Sequence, residues 1–178
     1  MITYIALLRG INVGGKNILN MEILKSFLKD VGYQDVSTYI NSGNIIFRTE
    51  IKDKDVIRNT IEQTISKNLD LQVSVFLRTL DELKMLAANI PVDRIQNKEW
   101  KTDVIFLDTA IDSPEILGQF AINSDIEQLI YFPGVLVRHI AYSDYNHSKF
   151  PRIIGGNLYK QMTIRNINTV RKLAALTS

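Results

Sequence analysis

Residues 9–17 read R-G-I-N-V-G-G-K-N, a stretch rich in groups that handle anions. Gly10 and Lys16 stand at the ends of G-x-x-x-x-G-K, the spacing of a loop whose backbone amides cradle phosphates. That chemistry needs a Ser or Thr hydroxyl on magnesium directly after the lysine. Asn17 stands there instead, and its amide is a neutral, weaker ligand. The helix should also begin at the lysine, so that its free N–H groups meet the phosphates. Here Asn20 is the natural N-cap, which starts the helix near Met21. Residues 104–108, V-I-F-L-D, do read like a strand ending in a magnesium-holding aspartate. Against this, P-loop enzymes use parallel sheets, and this chain carries two antiparallel hairpin signals. The balance stands against a nucleotide-hydrolysing loop.

The elements around the loop suggest another use. Residues 2–8 form a continuous apolar run, the pattern of a buried strand. Met21, Leu24, Phe27 and Leu28 recur at helical spacing, with Gly32 as a stop. Residues 36–40 and 45–47 are strand-like around N-S-G-N, which is hairpin chemistry. Asp53 and Asp55 suit a helix start, Ile57, Ile61 and Ile65 continue that helix, and residues 73–77 make another strand. The order strand, helix, strand, strand, helix, strand is the ferredoxin-like α-β plait, complete within residues 1–78.

Residues 79–178 repeat the topology without a residue-level repeat. A helix at 81–88 leads to a strand at 103–107. A helix start follows at Ser113-Pro114-Glu115, then strands at 126–131 and 135–140, then helical material over 148–161. The last helix, 166–176, is expected to be capped by Thr163 and to take the place of a final strand. The predicted fold class is therefore α+β: two plait-like units, each a two-layer sandwich with an antiparallel sheet.

In a plait the first and second strands are parallel with the third between them. The end of the first strand then lies beside the turn joining the second and third. That topology gathers Arg9, Gly10, Asn12, Gly14, Gly15 and Lys16 with Asn41, Ser42, Gly43 and Asn44. Arg9 offers a planar fork for carboxylate or phosphate, and Lys16 a point charge. Successive backbone N–H groups in Gly-rich turns make anion-binding concavities. The expected partner is a small anionic ligand. The competing reading is that these residues only build turns.

Here the chain resembles a known family. L-L-R-G-I-N-V-G-G-K-N, T-Y-I-N-S-G-N-I-I-F, S-K-F from Ser148 and T-I-R-N-I-N-T-V-R-K-L from Thr163 are similar to motifs of bacterial domain-of-unknown-function family 1697. The resemblance implies a two-domain α+β plait protein and brings no established activity. Ile167 stands where that family usually has tryptophan, and Asn20 where proline is frequent. Arg165 and Asn166 lie in the closing motif, as ligand contacts or as anchors of the helix.

Catalysis has little support. His139 and His147 are not spaced as metal ligands, and His139 shares a strand face with Val135 and Val137, as a satisfied, partly buried histidine. His147 beside Ser148 is poorly placed as its base. No metal or other cofactor is indicated. Nucleic acid is the alternative partner: residues 128–178 carry 7 basic and 1 acidic side chains, while 79–127 carry 4 and 10. The competing view is that the two segments complement each other. RNA-binding plaits stack bases on strand aromatics, and only Tyr4 and Phe47 are candidates. An enzyme acting on a phosphorylated or nucleotide substrate is a third class.

Composition bounds the rest. The 178 residues are 46% hydrophobic and 22% charged, a soluble globular balance. No run reaches the ~20 apolar residues a membrane helix needs. The absence of cysteine and of a basic leader points to a reducing cytoplasm. The first strand is apolar on both faces, so the second domain or a second copy, as a homodimer, is expected to cover its open side.

Overall fold

The computed structural model describes residues 1–12 and 18–176. The chain divides into two compact units, Met1–Glu82 and Leu83–Leu176.

The first unit runs β1 (Ile2–Leu8), α1 (Met21–Asp30), β2 (Gln34–Tyr39), β3 (Asn44–Thr49), α2 (Lys54–Leu69) and β4 (Val75–Thr79). Its sheet has the order β2-β3-β1-β4, with every neighbouring pair antiparallel. Both helices start on side-chain caps. The Asn20 carboxamide oxygen accepts from the Glu22 and Ile23 N–H groups, and the Asp53 carboxylate from those of Asp55 and Val56. Leu24 and Leu28 of α1 and Ile57, Ile61 and Ile65 of α2 are spaced four apart, so each set lies on one helix face. They pack in one core with Tyr4, Ala6 and Leu8 of β1 and Ile45 and Phe47 of β3. Ile5 and Leu7, on the other face of β1, are also buried within this single chain. Helix α3 (Leu80–Asn89) begins with a reciprocal cap. Thr79 Oγ1 accepts from the Glu82 N–H, and the Glu82 carboxylate accepts from the Thr79 N–H.

The second unit contains β5 (Trp100–Leu107), β6 (Glu127–Phe132), β7 (Val135–Ala141), the short helix α4 (Asn157–Lys160), β8 (Met162–Asn166) and α5 (Ile167–Ala174). Its antiparallel sheet has the order β6-β7-β5-β8, the same permutation as the first. The architecture is mixed α+β, two four-stranded antiparallel sheets with helices.

Three expectations need correcting here. The closing segment does not replace the final strand with a helix. Met162–Asn166 is that strand, paired with β5 from Asp103↔Asn166 to Leu107↔Met162, and α5 is an addition after it. Thr163 is therefore a strand residue, and the cap of α5 is Asn166, whose side chain accepts from the Asn168 N–H. The start at Ser113 opens a 3-10 helix, Pro114–Gln119, and the Ser113 side chain makes no capping bond. Gly118 lies inside that short segment, and too few residues follow to repay helix nucleation. Finally, 148–161 is not one helix. It breaks into a 3-10 turn, Phe150–Ile153, and α4, separated by Gly155 with φ +89°.

Candidate functional site

The end of β1 does lie against the β2–β3 turn. The Leu8 N–H donates to the Gly43 carbonyl at 2.8 Å, and the Arg9 N–H to the Ser74 carbonyl at 2.9 Å. The chain then turns through Gly10 at φ +68°, buries Ile11, and turns again at Asn12 with φ +52°. The Asn12 amide ties residue 12 to Asn41 and to Leu19. Its Nδ2 donates to the Asn41 carbonyl at 2.8 Å and the Leu19 carbonyl at 3.1 Å, and its Oδ1 accepts from the Leu19 N–H at 2.7 Å. Residues 9, 10 and 12 are thereby held beside the turn that carries Asn41 and Ser42.

Several of the polar groups gathered here serve the fold itself. Asn44 is fully buried, and its Nδ2 donates to the Tyr39 carbonyl and Ser42 Oγ, both at 3.0 Å. Gly43 has φ +77°, and a Cβ there would sit 2.8 Å from Leu8 Cβ and 2.7 Å from Ile11 Cδ1. Its glycine is required by close packing. At Gly10, by contrast, the Cβ position opens onto empty space. Gly14, Gly15 and Lys16 lie outside the described residues.

Arg165 and Asn166 belong to the second unit. The Arg165 guanidinium is buried, with NH1 donating to Thr163 Oγ1 at 3.0 Å and the Ile164 carbonyl at 2.9 Å. Burial lowers its pKa to about 10. Asn166 is the helix cap already described. Arg165 bonds back onto its own strand, and Asn166 caps the start of α5.

The second unit contains a buried ionic cluster that the sequence reading missed. Arg138 of β7 donates through Nε to the Glu127 carboxylate at 2.8 Å and through NH2 to Ser148 Oγ at 2.8 Å. Ser148 Oγ in turn donates to Glu127 at 2.9 Å, and the Asp103 carboxylate lies 3.4 Å from Arg138 NH1. The Phe150 ring stands 4.6 Å from the guanidinium carbon. Burial pushes the Asp103 carboxyl above its ordinary value, with Lys101 and Arg138 opposing. Ser148 is thus bound to a carboxylate and an arginine, not to His147. The available signal was an arginine inside the apolar run 135–140, where a charge requires a partner. The charge bias along the chain is partly this cluster. Arg138 and Arg165 are buried, and Arg138 meets Glu127 and Asp103 from the acidic segment.

Beside the cluster lies a cleft of about 500 Å³ whose lining includes Asp93, Arg94, Trp100, Asp125, His139 and Asp144. The Thr102 hydroxyl donates to the Ile95 carbonyl at 2.6 Å, so its lone pair faces His139 Nδ1 at 2.7 Å. A hydroxyl has one proton, so His139 Nδ1 must carry the hydrogen and Nε2 the free lone pair. Burial pushes the His139 pKa down, Arg94 adds to the effect, and Asp93 opposes it. The imidazole stacks on Trp100 at 4.6 Å between centroids and 7° between planes. Arg94 donates to Asp93 at 2.9 Å and Gln128 at 2.6 Å. His139 is buried, with Nδ1 satisfied by Thr102 as expected and Nε2 left with its lone pair.

Tyr4 and Phe47 are both buried in the first core, their rings stacked 5.9 Å apart. Neither is available to stack a nucleobase. Among the described residues, no helix is long and apolar enough to cross a membrane, and no group of three His, Asp or Glu side chains could hold a metal ion.

Fold and topology define a tandem of two ferredoxin-like α+β units. Residues 1–135 match the family model described as "Protein of unknown function (DUF1697)", and the chain belongs to that family. It is also similar to a solved structure, the conserved bacterial protein SP0830 from Streptococcus pneumoniae. That match has 27% sequence identity and a TM-score of 0.81, and covers 97% of each chain. A comparison with curated proteins finds no match.

Proposed function

We propose that the protein binds a small anionic ligand, a phosphate ester or carboxylate, at the edge of its first unit. Arg9 supplies the bidentate fork, Gly10 a backbone that no side chain shields, and Asn41 and Ser42 neutral polar contacts. Lys16, seven residues after Arg9, supplies the second charge. The observation that carries this reading is the Asn12 clamp, which holds residues 9–12 against the hairpin. Pre-ordering lowers the entropic cost of binding. The chain has no cysteine, which suits a reducing cytoplasm as its place of action.

The test is a thermal-shift screen of nucleotides and phosphometabolites. A ligand present at about 100 times its Kd adds about 2.7 kcal/mol. For a chain of this size that raises the melting midpoint by roughly 5–11 °C. Arg9→Ala with Lys16→Ala should abolish the shift and leave the ligand-free midpoint unchanged. A double variant that still responds fully to the ligand refutes the assignment, and one that unfolds makes the loop a structural element. Turnover of the bound compound, lost in the same variant, would identify an enzyme.

A further inference from the structure

The cleft of the second unit, half open to solvent, has the opposite chemistry to the proposed anion edge. Its volume, about 500 Å³, falls within the range of about 300–1,000 Å³ typical of small-molecule pockets. Its groups are mostly acceptors. Among the described residues, no hydrogen bond or ion pair engages the carboxylates of Asp125 and Asp144. The charge of Arg94, the one guanidinium in the lining, is matched by Asp93, though its buried Nε has no hydrogen-bond partner. Glu127 is matched by Arg138. The tautomer imposed by Thr102 leaves His139 with an unprotonated Nε2, so this residue also accepts. Trp100 lies with one ring face on His139 and keeps 37% of its surface exposed.

We propose that this cleft binds an organic cation, an ammonium or guanidinium group carried by a small molecule. Trp100 offers its π face to the charge. Asp125 and Asp144 supply the counter-charge, and His139 Nε2 takes one N–H donor. A metal ion fits less well, because no three His, Asp or Glu side chains among the described residues converge for one. An anion would meet two unmatched carboxylates. Burial holds His139 neutral, so the imidazole does not repel a cation at neutral pH.

Trp100 is the only tryptophan of the chain, so its emission reports on the cleft directly. Full-length protein is titrated at low salt with agmatine, and separately with glutarate as an anion of similar size. Agmatine should change the emission saturably, and glutarate should not. Asp144→Asn and Asp125→Asn, isosteric changes at the cleft surface, should each weaken agmatine at least tenfold. Calorimetry on the wild-type chain checks the stoichiometry of one, independently of any variant. No saturable response to agmatine, an equal response to glutarate, or unchanged affinity in both variants overturns the assignment.

Discussion

Removing the Glu127 carboxylate is the severest single test of how the second unit is held together. The Arg138 side chain is 1% exposed and that of Glu127 is 0% exposed, so the pair is shielded from water. Glu127 also accepts from Ser148 Oγ and from the Asn123 N–H. Glu127→Ala leaves a guanidinium buried with only Asp103, at 3.4 Å, as counter-charge. Breaking one side of a buried pair typically costs about 3–5 kcal/mol, because the stranded charge keeps its desolvation penalty. At about 2–4 °C per kcal/mol for a chain of this size, the melting midpoint should fall by roughly 6–20 °C. Circular dichroism melts and urea titrations both read this. The double change Glu127→Leu with Arg138→Met removes both charges of the pair, leaves Asp103 with Lys101 at 3.6 Å, and should cost less than Glu127→Ala alone. If Glu127→Ala costs under about 1 kcal/mol, or the double change costs the sum of the singles, the pair is not the coupled buried charge described here.

Two further outcomes follow from the geometry. Gly43→Ala should destabilise more than Gly10→Ala in urea melts. Both have positive φ, worth about 1–2 kcal/mol for a residue with a Cβ, but only Gly43 also drives it to 2.8 Å from Leu8 Cβ. Equal losses would mean that the β1–turn contact is looser than it looks. The second outcome concerns His139, whose pKa is depressed by burial and then by Arg94. Its contribution to stability is present above the unfolded-state value of about 6.5 and is lost as pH falls through the lower folded value. The gap in melting midpoint between wild type and His139→Gln should therefore narrow from pH 8 to pH 5, and a constant gap would contradict a neutral His139.

Most of the first unit is legible in the residues because each element carries its own local signal. The caps at Asn20 and Asp53, the four-residue spacing of apolar side chains and the N-S-G-N turn agree with one another, and the plait follows. In the second unit the local signals mislead. Ile164, Ile167, Val170 and Leu173 look like one helical stripe, but Ile164 belongs to a strand. The β-branched pair Thr163-Ile164 suits a strand edge, and pairing with β5 decides between the two periods. Ser113-Pro114-Glu115 signals a helix start correctly but says nothing of length, which Gly118 and the neighbouring strand limit.

The candidate site divides along the same physical line. Asn12, Gly43 and Asn44 read as ligand groups in the sequence because turns and anion sites draw on the same residue types. In the fold, the partners of the Asn12 amide, 2.7–3.1 Å away, are backbone groups, and Asn44 bonds the Tyr39 carbonyl and Ser42 Oγ. A short polar side chain next to a bend satisfies local backbone first, since an unpaired buried amide costs about 1–3 kcal/mol. The binding role proposed for R-G-I-N-V-G-G-K-N therefore rests on the charged pair Arg9 and Lys16. The cleft of the second unit was harder to see for the converse reason. Trp100, Asp125, His139 and Asp144 come from separate elements, and only the pairing of β5 with β7 sets Trp100 and His139 side by side.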